Sequence, residues 1–224
     1  KAKVKNFILS STAAVYGEPE YLPVDEHHPT KPTNYYGYTK LAIEENLEWY
    51  SNLRGLSYVS LRYFNAAGYD NEGRMLGLES NPANLIPVVM EVAMGIRPNL
   101  LIFGSDWDTP DKTAIRDYVH VTDLATAHVL AVDHLMEGKG NLIVNLGSER
   151  GISVQQIVDT ARQITGHPIP AEYVDRRKGD PAKLIASSKE ARKILGWRPE
   201  HSSVENIIAS TWRVYLANQK RLES

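Results

Sequence analysis

The 224-residue chain contains no cysteine. Disulfides, zinc–thiolate sites and a cysteine nucleophile are therefore excluded. There is no excess of either charge: 25 Lys and Arg stand against 27 Asp and Glu, a net charge of −2. Nucleic acid and anionic membranes demand a basic surface, so neither is expected as a partner. The densest basic cluster, Arg176-Arg177-Lys178, is the size of a small-anion contact. Long apolar runs are missing as well. The N-terminal stretch KAKVKNFILSSTAAVYG is too short for a signal segment or a bilayer span, and the cytoplasm is the expected compartment. The seven histidines show no metal-ligand spacing, so no metal is expected; His120 and His128 read as packing or capping residues.

What the chain does have is a balance of 42% hydrophobic and 23% charged residues, enough for one sizeable core or two small ones. VKNFILSS reads as a buried strand, residues 36–53 as a helix stopped by Gly55, and SYVSLRYFN as a second strand. This strand–helix–strand order predicts a parallel sheet. Further on, 84–97 reads as a helix with Pro87 in its first turn. LLIFG reads as a strand, 105–117 as a polar loop and YVHV as a short extended piece. The stretch 123–138 reads as a helix capped by Asp123 or Thr122. NLIVNLG and AEYVD read as strands, and helices are expected from Ser153 to Gly166, over SKEARKILG and over 203–222. The fold class is α/β: the C-terminal part of a Rossmann-like parallel sheet plus a smaller mixed α/β domain.

A sheet of that kind opens with a Gly-rich turn, G-x-G-x-x-G, between its first strand and helix. None of the 15 glycines forms one. The chain also starts just before a strand. Together these predict a fragment lacking about three strand–helix steps of roughly 30 residues each.

The helix opens with NYYGYTK. Residues i and i+4 share a helix face, so Lys40 pairs with Tyr36, not with Tyr35 or Tyr38. A phenol near pKa 10 is a poor base at neutral pH; an ammonium beside it favours the phenolate. The preceding strand ends in Ser10, Ser11 and Thr12, and ligands of open α/β sheets sit beyond the carboxyl ends of strands. A hydroxyl there can relay a proton, although such a residue also serves as a strand-end cap, the reading favoured for Ser10. Y-x-x-x-K alone is a weak signal.

FILSSTAAVYG, NYYGYTK, LRYFNAAG, NLIPVVMEVAMG, LLIFGSDWDTPDKTAIRDYVHVTDLATAH, VNLG and RRKGDPAKL…LGW together resemble the UDP-glucose 4-epimerases of the extended short-chain dehydrogenase/reductase superfamily. The resemblance runs from Phe7 to about Trp212. Its most specific part is the run of Asp-Thr-Pro-Asp ahead of Ile-Arg-Asp-Tyr-Val-His-Val. It implies NAD as cofactor, a UDP-sugar as substrate and a possible homodimer through a helix pair that includes 36–53. It also implies that Tyr36, helped by Thr12, takes the proton of the sugar 4-hydroxyl while hydride leaves C4 for NAD and later returns to the opposite face. By the same resemblance Tyr36, Lys40 and Thr12 are catalytic. Tyr36, Lys40 and Tyr63 touch the cofactor. Thr12, Asn65, Asn84, Leu101, Phe103, Arg116, Arg177 and Asp180 touch the nucleotide sugar, the two arginines as diphosphate forks. Without the resemblance, Asn84 is a helix N-cap, Arg116 and Arg177 are surface ion-pair residues, and Asp180 is a turn residue before Pro181. Residues 1–66 and 117–148 are expected to form the NAD-binding domain, and 67–116 with 149–224 the nucleotide-sugar domain.

Two positions depart from the family pattern. Lys112 stands where Gly is usual after Asp111. Leu184 stands where some relatives carry a larger aromatic, which leaves room for a 2-acetamido sugar. Two other functions fit parts of the chain. A nucleotide-sugar 4,6-dehydratase calls for an acidic pair after Thr12, where Ala13 and Ala14 stand. A non-catalytic nucleotide-sugar-binding remnant fits the missing Gly-rich turn.

Overall fold

The computed structural model of the chain describes residues 3–222. A three-stranded parallel sheet, in spatial order β1-β2-β6, is built from β1 (Asn6–Thr12), β2 (Ser57–Tyr63) and β6 (Leu142–Leu146). Helix α1 (Tyr35–Arg54) connects β1 to β2. Asn34 caps it by accepting from the Gly37 N–H at 2.8 Å, and Gly55 ends it in the left-handed conformation, φ 67°. That is the terminator the sequence predicts.

The chain then leaves this sheet. Phe64 interrupts the expected strand 57–65, and β3 (Asn65–Ala67) pairs with β5 (Ile115–His120) in a second sheet, which also carries β7 (Gly151–Ser153) and β9 (Lys183–Leu184). Between β3 and β5 lie α2 (Leu85–Ala93) and β4 (Leu100–Phe103). Strand β4 pairs in parallel with β8 (Ala171–Val174). The remaining helices are α3 (Val121–Met136), α4 (Val154–Thr165), α5 (Lys189–Leu195) and α6 (Val204–Leu222).

Apolar burial forms two main cores. Val59, Leu61, Val144 and Leu146 of the first sheet pack on Leu124, Ala127 and Ala131 of α3 and on Leu195 and Trp197. The larger core joins α2, α4 and α6 beside β4, through Val89, Met90, Ile102, Ile157, Ile207 and Ile208. Among the described residues, no helix is long and apolar enough to cross a membrane.

Several local expectations are corrected. Strand β1 is fully buried on one face only: Leu9 and Ser11 point inward, while Asn6 and Ser10 on the opposite face are exposed, and Phe7 at the start of the inward face is 41% exposed. Among the described residues it pairs with β2 alone. Strand β5 begins at Ile115 rather than at Tyr118, because Ile115 to Asp117 find partners on β7. Helix α3 starts at Val121, and its cap is His120, which accepts from the Thr122 N–H at 3.1 Å. Asp123 instead accepts the N–H groups of Glu200 and His201 and the Ser202 hydroxyl, all remote in sequence. The expected helix 84–97 is shorter, and the helix expected from Ser153 to Gly166 spans Val154–Thr165, with Ser153 and Gly166 as its caps.

Candidate active site

The carboxyl end of the first sheet gathers the residues expected to be catalytic. Parallel register sets Thr12 beside Tyr63, and Tyr63 beside Leu146. Helix α1 then brings Tyr36 and Lys40 over this edge. Lys40 Nζ donates to the Ser10 carbonyl oxygen at 3.0 Å and stands 5.8 Å from the centroid of the Tyr36 ring. The i, i+4 pairing drawn from the sequence thus occurs in the folded chain. Tyr36 is 56% exposed, and its phenol makes no hydrogen bond among the described residues. Tyr35 is more exposed still and stacks on Tyr38, at 6.4 Å between centroids, away from the lysine.

Thr12 accepts from the Ala14 N–H at 3.2 Å and so caps the short 3-10 turn at Ala13–Val15. Its hydroxyl proton remains free to donate. Ser10 is no cap. Its hydroxyl lies 3.2 Å from His128 Nε2, which lies 2.9 Å from the Tyr63 hydroxyl. His128 Nδ1 faces the Leu124 carbonyl at 2.8 Å. A carbonyl accepts only, so in a neutral ring Nδ1 carries the proton and Nε2 accepts from both hydroxyls. Burial pushes the Tyr63 phenol above its ordinary value, the hydrogen bond to Ser10 opposes this, and the neighbouring Tyr36 adds to it. Tyr63 is therefore a neutral donor beside Tyr36.

A second group of predicted residues gathers on the other domain. Arg116 lies on β5 with Nη2 4.0 Å from Asp180 Oδ2, and Nη1 donates to the Ile115 carbonyl at 2.9 Å. Burial pulls the Arg116 pKa down, and Asp180 opposes that. Such a guanidinium, desolvated and with few partners, favours an anion. The Asp180 N–H donates to the Arg177 carbonyl at 3.3 Å, and the Arg177 guanidinium lies 3.8 Å from the centroid of the Phe103 ring. On β4, Leu100 and Ile102 enter the core while Leu101 is 44% exposed and Phe103 half-buried. Arg116, Arg177, Asp180 and Phe103 thus form one chain of contacts. The neighbouring Arg176 is engaged elsewhere, with Asp106 at 2.7 Å and over Trp107.

Asn65 and Asn84 line a single cleft of about 190 Å³ with Tyr69, Tyr118 and the start of α2. Asn84 occupies the N-cap position of α2, but its side chain makes no capping bond. The amide is left to other partners beside the open N–H groups of a helix start.

Sequence reasoning passed over Glu44 and Arg62, and read His128 only as a packing or capping residue, where it lies against the Ser10 and Tyr63 hydroxyls. Glu44 lies one further step of four along the stripe that holds Tyr36 and Lys40, and that spacing was the available signal. Arg62 and His128 carry no comparable local mark. Among the described residues, no group of acidic and histidine side chains could hold a metal ion.

Known proteins resemble this chain in sequence and fold. The family described as NAD dependent epimerase/dehydratase matches residues 1–147. A UDP-glucose 4-epimerase from Halalkalibacterium halodurans is 52% identical over 209 residues, 93% of this chain. The crystal structure of the UDP-glucose 4-epimerase from Brucella ovis in complex with NAD is 45% identical over 93% of the chain, with a TM-score of 0.91. That from Bifidobacterium longum in complex with NAD+ and UDP is 38% identical over 96%, with a TM-score of 0.87. The chain spans 63% of the length of the first of these relatives and 64% of each solved chain.

Proposed function

The chain belongs to the NAD dependent epimerase/dehydratase family, and on that premise we propose that it supplies the acid/base and nucleotide-sugar-binding parts of a UDP-hexose 4-epimerase. The observation that carries this reading is the Tyr36–Lys40 face meeting the Ser10–Thr12 strand end. Residues 1–66 and 117–148 are assigned to the cofactor side, and 67–116 with 149–224 to the sugar-nucleotide side. The two main cores support that division, although Leu195 and Trp197 pack on the first sheet.

The residues present suit the nicotinamide–ribose end of NAD. Among the described residues Lys40 Nζ has the Ser10 carbonyl as its one acceptor, leaving two N–H groups for ribose hydroxyls, and Tyr63 closes the floor. When bound, NAD supplies the acceptor and donor of hydride at C4. The chain's own residues handle the proton. Tyr36 takes it from the sugar 4-hydroxyl and later returns it, and Lys40 stabilises the phenolate. The Thr12 hydroxyl donates to the same sugar oxygen.

On the nucleotide side, Arg116 and Arg177 hold the diphosphate as forks, with Asn84 and the start of α2. Asp180 accepts from the ribose, and Leu101 and Phe103 receive the base. Leu184, half-buried on β9 beside Arg116, leaves space for either a hydroxyl or an acetamido group at the sugar C2. A dehydratase is disfavoured: Ala13 is buried and, with Ala14, sits in the turn where an acidic pair would be needed.

The outward face of α1 carries Tyr38, Trp49 and Leu53, each more than half exposed. A second copy of the chain is the proposed occupant, as the resemblance implies, and light scattering of Trp49→Glu against the parent tests it. The cytoplasm is the proposed compartment.

The deciding experiment incubates the intact protein with UDP-galactose and NAD and follows UDP-glucose. Tyr36→Phe is expected to abolish turnover and leave UDP binding unchanged. A 4-keto-6-deoxy product would show a dehydratase. UDP-sugar binding without turnover would show a binding module.

A further inference from the structure

Helix α1 is twenty residues long but buries only Gly37, Glu44 and Leu47. One of these has no side chain and one is charged. The helix that carries Tyr36 and Lys40 is therefore held on the sheet by few apolar contacts, which by themselves allow sliding and rotation. The polar contacts are much more specific. Glu44 is 3% exposed and Arg62 5%. Glu44 Oε2 receives Arg62 Nη2 at 2.5 Å, and Oε1 receives Arg62 Nε at 3.1 Å. Oε1 also accepts the hydroxyls of Ser11 at 2.6 Å and Ser60 at 2.9 Å. Arg62 Nη1 continues to the Tyr16 hydroxyl at 2.9 Å, which donates to Asn145 Oδ1 at 2.7 Å. One carboxylate is thereby tied directly to β1 and β2, and through Arg62 and Tyr16 to β6.

A buried ion pair is a poor stability device, because desolvation offsets the attraction. A two-point guanidinium–carboxylate fork is a good geometric one, since it fixes direction as well as distance. Tyr36, Lys40 and Glu44 lie in steps of four on one face, so rotation at Glu44 is rotation at Tyr36. The first turn has its own stop: a Cβ on Gly37 would lie 2.3 Å from the Ala14 carbonyl oxygen, just past Thr12.

We propose that Glu44, held by Arg62, Ser11 and Ser60, is a positioning residue that sets the rotation and height of α1, so that Tyr36 and Lys40 meet the Ser10–Thr12 strand end. This rests on the epimerase reading for its consequence in turnover, but not for the clamp itself.

The test uses the intact protein and four variants: Glu44→Gln, Glu44→Asp, Ser11→Ala and the double variant Glu44→Gln with Arg62→Met, which leaves no unpaired buried charge. The folded variants should keep UDP affinity within about twofold, because the nucleotide residues lie elsewhere. In Glu44→Gln and the double variant, amide exchange over residues 35–41 should speed up by about tenfold. Their kcat should fall by about tenfold to a hundredfold at unchanged KM. Glu44→Asp, one methylene short, should recover thermal stability but not kcat. Ser11→Ala, the mildest change, should lower kcat by about threefold and keeps the proposal testable if the charge variants fail to fold. Wild-type kcat and wild-type exchange in a folded double variant or in Ser11→Ala would overturn the proposal. A kcat that Glu44→Asp restores in step with stability would do the same. If the parent protein does not interconvert the two UDP-sugars, the epimerase reading fails, and the exchange comparison still decides the clamp.

Discussion

Arg116 and Asp180 face one another at 4.0 Å, between a guanidinium on β5 and a carboxylate on the loop after β8. The gap is too long for a hydrogen bond, and among the described residues Arg116 has only a neighbouring backbone carbonyl besides. Its burial is paid for by little within the chain. Arg116→Leu should therefore cost no stability in urea denaturation, and the buried apolar side chain could raise it. UDP affinity, measured by calorimetry, should fall by about tenfold to a hundredfold, the loss of a charge-assisted pair of hydrogen bonds. Native affinity in that variant would remove Arg116 from the site.

Gly37 presents opposing local and tertiary demands. Alanine within a helix is favoured over glycine by about 1 kcal/mol, so propensity alone predicts stabilisation by Gly37→Ala. The new Cβ would lie 2.3 Å from the Ala14 carbonyl oxygen and 3.1 Å from Pro32 Cβ. Forced separation of this kind costs about 1–3 kcal/mol. Gly37→Ala is expected to be destabilised by about 1 kcal/mol or more in chemical denaturation, and to lose turnover because the helix start that carries Tyr36 is pushed away from the Ala14 turn. An increase in stability would show that the helix start is not in contact with the turn.

Lys112 adopts φ 63°, left-handed backbone in which a side chain costs about 1–2 kcal/mol. It is exposed, and its backbone N–H and carbonyl close the turn with Thr109 and Trp107. Lys112→Gly removes the strain and returns some of it as unfolded-state freedom, about 0.5–1 kcal/mol. A net stabilisation of about 0.5–1 kcal/mol is expected from the urea midpoint, with UDP affinity unchanged.

His120 is buried and neutral: burial pulls its pKa below the ordinary value, with Asp123 and Asp70 opposing and His201 adding to the effect. Its Nδ1 accepts from the Thr122 N–H, and Nε2 lies 3.0 Å from the Ser210 hydroxyl. The unfolded state takes up the proton first, near pH 6.5. Stability contributed by this residue is therefore complete above about pH 6.5 and is lost as pH falls from there toward the depressed folded value. Urea midpoints across that window should decline for the parent protein and decline less for His120→Gln. Equal slopes would show that His120 is not the responsible group.

Much of this could be read from neighbouring residues alone. The order of strands and helices, the terminators Gly55 and Gly166, the cap at Ser153 and the pairing of Tyr36 with Lys40 all follow from contacts within a turn or two of chain. Three of the misplaced ends have one cause. Ile115 to Asp117 became strand because β7 and β9 supply partners. Asp123 was drawn away from capping by Glu200, His201 and Ser202. Phe64 breaks the strand because the chain there passes from one sheet to the other.

The sequence, taken by itself, sets local periods and caps because those depend on side chains a few positions apart. It therefore determined the α/β class, the shared Tyr36–Lys40 face of α1 and, through family resemblance, the residues to look for. Partners brought together by the sheet are different. Glu44 meets Arg62 from 18 residues away, Ser10 meets His128 from 118, and Tyr16 meets Asn145 from 129. The packing of α1, α3 and the turn after β1 against the first sheet brings these groups together, and for the buried pairs Glu44–Arg62 and Tyr16–Asn145 burial raises the cost of leaving either partner alone. Tertiary structure thus decided how the helix that bears Tyr36 and Lys40 is held and which arginine is left with few partners.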